Sequence, residues 1–186
     1  MSVRTHLTGI LAELTRNAAL VDDAQLAAAV AEIQRANHLF LAGAGRSGVA
    51  ITGFANRLMH LGKSVSLVGE ITSPHSRPGD LLIIGSGSGE TASLVALARK
   101  AHAGGVRIVL ITMDDRSTIA GLADVCVVLP GVSPKLRAAT AVTSIQPMGS
   151  AFEQISFLSY DAIILELMDA LGETSETMFP RHADLE

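Results

Sequence analysis

Twice in this chain a short, purely apolar run ends in a glycine-dominated turn, and a helical pattern follows. Leu39-Phe40-Leu41-Ala42 runs into Gly43-Ala44-Gly45-Arg46-Ser47-Gly48, and Leu81-Leu82-Ile83-Ile84, led in by Asp80, runs into Gly85-Ser86-Gly87-Ser88-Gly89-Glu90-Thr91. Half-exposed strands alternate polar and apolar residues, whereas unbroken apolar runs this short suit strands covered on both faces. Such strands need helices above and below them. The repeated strand–turn–helix order therefore predicts an α/β fold with a parallel sheet between helical layers.

The remaining chain fits that frame. Ser64–Val68, Val106–Ile111 and Asp124–Leu129 read as three further strands, which makes five. Helical patterns run from the first turn to about Leu61-Gly62, from the second turn to near Gly104-Gly105, briefly over Ser117–Ala123, and over Phe152–Leu171. The last is expected to be amphipathic, with Phe152, Ile155, Leu158, Ile163, Leu167 and Leu171 at apolar positions. Residues 4 to about 36 read as two helices, with Asp22-Asp23 capping the second. A loop of mixed character joins Pro130 to about Gly149, and the segment from Met178 to Glu186 has no strong period. One domain is expected: residues 1–36 as N-terminal helices, 37–172 as the α/β core, and 173–186 as a C-terminal tail.

Of the 186 residues, 48% are apolar and 17% charged, with a formal net charge of −4. That content supplies a core and excludes wholesale disorder. Lysines and arginines are scattered, which argues against a nucleic-acid groove or a basic membrane patch. No apolar stretch approaches the roughly 20 residues of a membrane helix, and the N-terminus lacks a signal-peptide pattern, so a soluble, cytoplasmic protein is expected. The lone Cys126, within Val125-Cys126-Val127-Val128-Leu129, reads as an inert buried thiol.

Ligands of parallel sheets bind beyond the carboxyl ends of the strands, where both glycine turns fall. In the second turn the glycines let backbone N–H groups converge, Ser86, Ser88 and Thr91 add three hydroxyls, and the next helix contributes its N-terminal dipole. This reads as a neutral cradle for a phosphate monoester. The first turn matches Gly-x-Gly-x-x-Gly literally, and Glu70 stands about 20 residues on, where a dinucleotide site would place an acid. Arg46 and Ser47 inside that turn, and the second hydroxyl-rich turn, argue against a nicotinamide-dependent oxidoreductase. The Gly-Lys-Ser/Thr ending of a triphosphatase loop is absent, and no metal-ligand motif appears, so neither a metal nor a cofactor is expected.

Gly43–Gly48, Arg57-Leu58-Met59-His60-Leu61-Gly62, Gly69-Glu70 and Gly85–Thr91 together resemble sugar isomerase (SIS) domains. With Pro147-Met148-Gly149-Ser150, Phe152-Glu153 and the closing Arg181-His182-Ala183-Asp184-Leu185-Glu186, the chain resembles, more narrowly, the 6-phospho-3-hexuloisomerase family over nearly its whole length. At Pro180 that family usually carries another residue. The resemblance implies an SIS-type three-layer sandwich and a homo-oligomer, usually a tetramer, with sites near subunit contacts. It also implies interconversion of D-arabino-3-hexulose 6-phosphate and D-fructose 6-phosphate, in the ribulose monophosphate route for formaldehyde. It carries phosphate binding over to Ser86, Ser88 and Thr91, and sugar-hydroxyl contact to Ser47. Another phosphosugar, such as arabinose 5-phosphate, stays open as the substrate. So does a non-catalytic sugar-phosphate sensor, although only about 36 residues precede the first strand and none form a basic recognition helix.

Moving a carbonyl from C3 to C2 takes a proton off one carbon and returns it to the neighbour through an enediol. The reaction needs a positioned base with a raised pKa and an acid for the oxygens. Glu153, Glu90, His60 and His182 are the candidates. Both glutamates begin helices, where a carboxylate also serves the helix dipole, and His60 ends one, where a cation does the same. His182 lies in a tail that needs a docking partner, expected to be another subunit. Substrate binding is expected of Gly45, Arg46, Ser47, Ser86, Gly87, Ser88 and Thr91, with Arg46 offering a guanidinium fork.

Overall fold

Five strands, β1 (Leu39–Gly43), β2 (Val65–Leu67), β3 (Leu81–Gly85), β4 (Arg107–Thr112) and β5 (Val125–Val128), form one sheet in the order β2-β1-β3-β4-β5, and every pairing is parallel. The computed structural model describes residues 2–136 and 142–185. Helix α1 (Val3–Ala18) is capped by the Ser2 hydroxyl, and α2 (Asp23–Arg35) by the Asp22 carboxylate, which accepts from the amides of Ala24 and Gln25. The other helices are α3 (Gly45–His60), α4 (Ala92–Ala103), α5 (Ser150–Leu171) and the short α6 (Ser175–Met178).

Successive strand residues point to opposite faces, and the core divides accordingly. Leu39, Leu41, Leu81, Ile83, Val109, Ile111 and Val127 face a layer that holds Ile33, Phe54, Leu58, Phe152, Ile155 and Ile163 from α2, α3 and α5. Phe40, Ala42, Leu82, Ile84, Ile108 and Leu110 face Leu94, Ala98 and Ala101 of α4. The unbroken apolar runs thus line both sides of the sheet, which gives the expected three layers. Among the described residues no helix is long and apolar enough to cross a membrane.

The strand order also fixes where a ligand fits. From β1 the chain turns toward one edge to make β2, and from β3 it turns toward the other to make β4. Between neighbouring β1 and β3 the connections diverge, and a crevice opens at the carboxyl ends. Both glycine turns border it.

Three expectations change. Over Ser117–Ala123 only a 3-10 turn forms, at Ala120–Leu122. Gly121 weakens a helix that is already too short to repay nucleation, and Ser117 and Thr118 are drawn toward the second glycine turn. Helix α5 is less amphipathic than its spacing suggests: Phe152, Ile155, Ile163 and Leu167 are buried, whereas Leu158 and Leu171 are 50% and 45% exposed. The tail, expected to lack a stable element, carries α6 and a 3-10 turn over Phe179–Arg181. A capping box between Thr174 and Thr177 starts it, and Met178 is buried against the core. Hydrogen bonds from the Thr177 hydroxyl and then the Arg181 guanidinium hold the Glu173 carboxyl below its usual range. Part of the loop expected after Pro130, residues 137–141, lies outside the described residues, as do Met1 and Glu186. Cys126 is half-buried, and loss of hydration pushes its thiol up to about 11, so it stays protonated and poorly nucleophilic at neutral pH.

Candidate active site

A cleft of about 500 Å³ sits at the β1/β3 divergence, lined on one side by Gly45, Arg46 and Ser47 and on another by Ser86, Gly87, Ser88 and Thr91. Glu153, in the first turn of α5, and Phe152 close it from the helical layer. Eight of the eleven residues singled out from the sequence therefore share one concavity.

The first turn is held by close packing. Gly43 ends β1 and Gly48 lies in the first turn of α3; a Cβ added at Gly43 would stand 2.9 Å from the Gly48 Cα. Only glycines let the strand and the helix approach this closely. The result aims the N-terminus of α3 at the cleft, with its first amides available to an anion.

The second turn is held by hydrogen bonds beneath it. The Ser86 amide donates to Ile111 O at 3.0 Å, and Gly87 O accepts from the Met113 amide at 3.0 Å and the Thr112 hydroxyl at 3.2 Å. Gly89 takes φ +60°, and a Cβ there would stand 2.0 Å from the Ser117 hydroxyl. The amides of Gly87, Ser88 and Thr91 make no hydrogen bond to any described residue, and the N-terminus of α4 follows. Converging amides, hydroxyls and a helix terminus suit a phosphate monoester. Ser86 is 4% exposed, so its hydroxyl is reached only from within the cleft.

Facing the cradle, the Arg46 guanidinium donates through Nε to Glu153 Oε2. The Glu153 side chain is 19% exposed, so a largely buried carboxylate held by a cation stands at the edge of the cleft. A carboxylate there can exchange a proton with a bound carbon, and the guanidinium can steady a developing oxyanion.

The other candidates lie elsewhere. Glu90 is turned away from the cleft, and its carboxylate accepts from the Thr118 amide at 2.7 Å and the Thr118 hydroxyl, tying the second turn to the segment after β4. His60 ends the 16-residue α3, whose start borders the cleft. At about 1.5 Å per residue it sits some 22 Å from Gly45. His182 stacks on it, with ring centroids 5.2 Å apart, and Arg181 Nε donates to His60 O. The tail thus brings both histidines together at the far end of α3. Glu70 does not line the cleft, and the described residues hold no group of three or more metal-ligating side chains.

Sequence reasoning missed Ser133, Pro134, Lys135 and Met148, which also line the cleft. Met148 carries a positive φ of 53° among non-glycine residues, a local strain next to Gly149 and the start of α5. Neither Lys135 nor Met148 belongs to a periodic pattern. Met148 stands in the Pro147-Met148-Gly149-Ser150 run that carries the family resemblance, whereas the only signal for Lys135 was its position after the last strand and before the helix that bears Glu153.

Residues 32–156 match the SIS domain family. A 3-hexulose-6-phosphate isomerase of Bacillus subtilis (strain 168) is 44% identical over 186 residues, covering 100% of both chains. A 3-hexulose-6-phosphate isomerase of Mycobacterium gastri is 37% identical over 184 residues, covering 99% of this chain and 92% of that one. Among solved structures, a Methanococcus jannaschii protein for which a molecular function of 3-hexulose-6-phosphate isomerase was inferred superposes with a TM-score of 0.82. It is 29% identical, and the superposition covers 98% of this chain and 99% of that one.

Proposed function

The chain belongs to the SIS domain family, and from the build of its cleft we infer that it is an enzyme interconverting D-arabino-3-hexulose 6-phosphate and D-fructose 6-phosphate. It thereby serves the ribulose monophosphate route. One observation carries the reading. An uncharged cradle for a phosphate and a carboxylate–guanidinium pair face each other across a single cleft, in a chain alike from end to end to hexulose phosphate isomerases.

The phosphate rests on the amides and hydroxyls of the second turn, with Ser86, Ser88 and Thr91 donating and Gly87 leaving room for the oxygens. Ser47 and the Gly45 end of α3 meet the sugar hydroxyls. Glu153 removes the proton from C2 of the 3-hexulose, the C2–C3 bond becomes an enediol, and a proton returns at C3 as O2 becomes the carbonyl. Arg46 stabilises negative charge on the oxygens during the transfer. No electron leaves the substrate, so the step balances with proton movement alone.

His60 and His182 are too far from the Glu153 cleft of their own chain to touch its substrate. We propose a homo-oligomer, a tetramer as the family resemblance implies, in which this histidine pair approaches the cleft of a neighbouring subunit. Leu7, Leu11 and Leu165 are each more than half exposed, and they supply apolar surface for such a contact. Mixing Glu153→Gln and His182→Ala variants under verified subunit exchange should restore part of the activity. Activity that stays absent would confine the histidines to a structural role.

The activity itself is tested by turnover of 3-hexulose 6-phosphate, followed as fructose 6-phosphate. Formation at enzymatic rates supports the reading. Turnover of arabinose 5-phosphate alone, or binding of phosphosugars without turnover, would replace it with one of its two rivals.

A further inference from the structure

Charge accounting inside the cleft points to a role for a residue outside the recognised motifs. Among the described residues lining it, three carry charge: Arg46, Glu153 and Lys135. Arg46 is committed to Glu153, so that pair contributes no net charge toward a ligand. The cradle of the second turn is polar but uncharged. A phosphate monoester brings close to two negative charges at neutral pH, and the cradle answers them with dipoles but with no charged side chain. Lys135, an exposed residue, enters into none of the ion pairs among described residues, and it lines the same cleft as Ser86, Ser88 and Thr91.

The chain is steered to put it there. Just after β5, Gly131 packs so tightly that an added Cβ would stand 2.7 Å from Met113 Sδ and 2.8 Å from Phe152 Cβ, both residues of the cleft wall. The Ser133 hydroxyl then accepts from the Lys135 amide at 3.3 Å, and Ser133 O accepts from the Leu136 amide at 3.1 Å, which turns the chain. The turn is rooted in the cleft wall, so it holds an exposed lysine at the cleft's rim, within reach of a bound anion.

We propose that Lys135 is the counter-charge for the substrate phosphate, completing the neutral cradle. The proposal rests on the phosphosugar reading of the cleft. An ammonium suits this work because its charge is compact and its stem flexible, so it follows the phosphate without fixing its angle. The lysine acts on binding and leaves proton transfer to Glu153.

Two arms test it, one of them independent of turnover. Lys135→Met should raise KM for 3-hexulose 6-phosphate about 3- to 30-fold, the range for losing a partly exposed charge-assisted contact, while kcat changes less than threefold. Lys135→Arg should recover most of the loss. Binding of inorganic phosphate to the intact protein, measured by calorimetry, should weaken by a similar factor in the Met variant, and the wild-type affinity should fall with added chloride. Unchanged phosphate binding in a folded Met variant would overturn the proposal, as would a collapse of kcat at unchanged KM, which would move the lysine into the chemistry. If the wild-type protein fails to turn over the hexulose, the isomerase reading falls, and the phosphate arm still decides the role of Lys135.

Discussion

The two glycine turns sit on neighbouring strands and border the same cleft, yet they are built for different work. In the first, Gly43 and Gly48 are fixed by a close strand–helix approach, and the turn carries a cation, Arg46, which reaches across to Glu153. In the second, hydroxyls and unpaired amides stand over a floor of hydrogen bonds from Ile111, Thr112 and Met113, with no charge pointing into the cleft. On the proposed reading, the first turn holds through Arg46 the α5 carboxylate that reacts, and the second presents a surface that holds the phosphate. The literal Gly-x-Gly-x-x-Gly pattern belongs to the first turn, so it reports the packing of β1 on α3 and does not mark a dinucleotide.

The two turns should separate kinetically. The largest effect is expected from Glu153→Gln, which keeps the shape and removes the charge that Arg46 holds. Loss of a general base costs about 10²–10⁴ in rate, so kcat should collapse while calorimetric binding of fructose 6-phosphate stays within a few-fold. A Gln variant with normal turnover would strip the first turn of its chemical role. Next comes Ser86→Ala with Ser88→Ala. Each lost charge-assisted hydrogen bond is worth roughly 1.5–3 kcal/mol, so KM should rise tenfold or more with a much smaller change in kcat. A drop in kcat alone would erase the distinction between the turns.

Stability offers a finer contrast. Gly89→Ala must move Ser117 as well as accept a left-handed backbone, and it should cost about 2–4 kcal/mol in denaturant unfolding. Gly45→Ala has φ +58° and nothing within 4 Å of the new methyl, so only the backbone cost of about 1–2 kcal/mol applies. Equal losses at the two sites would mean that the second turn is no more tightly seated than the first.

The strands and both turns were legible because burial on both faces leaves an unmistakable apolar run, and each run ends where the turn must begin. Grouping Ser86, Ser88, Arg46 and Glu153 needed the strand order as well, and the family motifs supplied the link that periodicity lacks. His60 was named as a catalytic candidate although it ends the helix that the first turn begins, and the 16 residues of α3 separate it from the cleft of its own chain. The docking of the tail was not legible, because it depends on Met178 finding a buried position and on Arg181 reaching His60 O, contacts that span the whole fold. Lys135 was illegible for a related reason. A lone lysine in an aperiodic loop gains meaning only when Gly131 is seen pressed against Phe152.

On the proposed reading, this cleft moves a proton between C2 and C3 of a 6-phosphorylated ketose. Fructose 6-phosphate incubated with the protein in deuterium oxide and followed by proton NMR tests it most directly. Conversion to the 3-hexulose is expected, with deuterium appearing at C3 of the remaining fructose 6-phosphate and the C1 protons untouched. Exchange at C1, or neither exchange nor conversion, would contradict it.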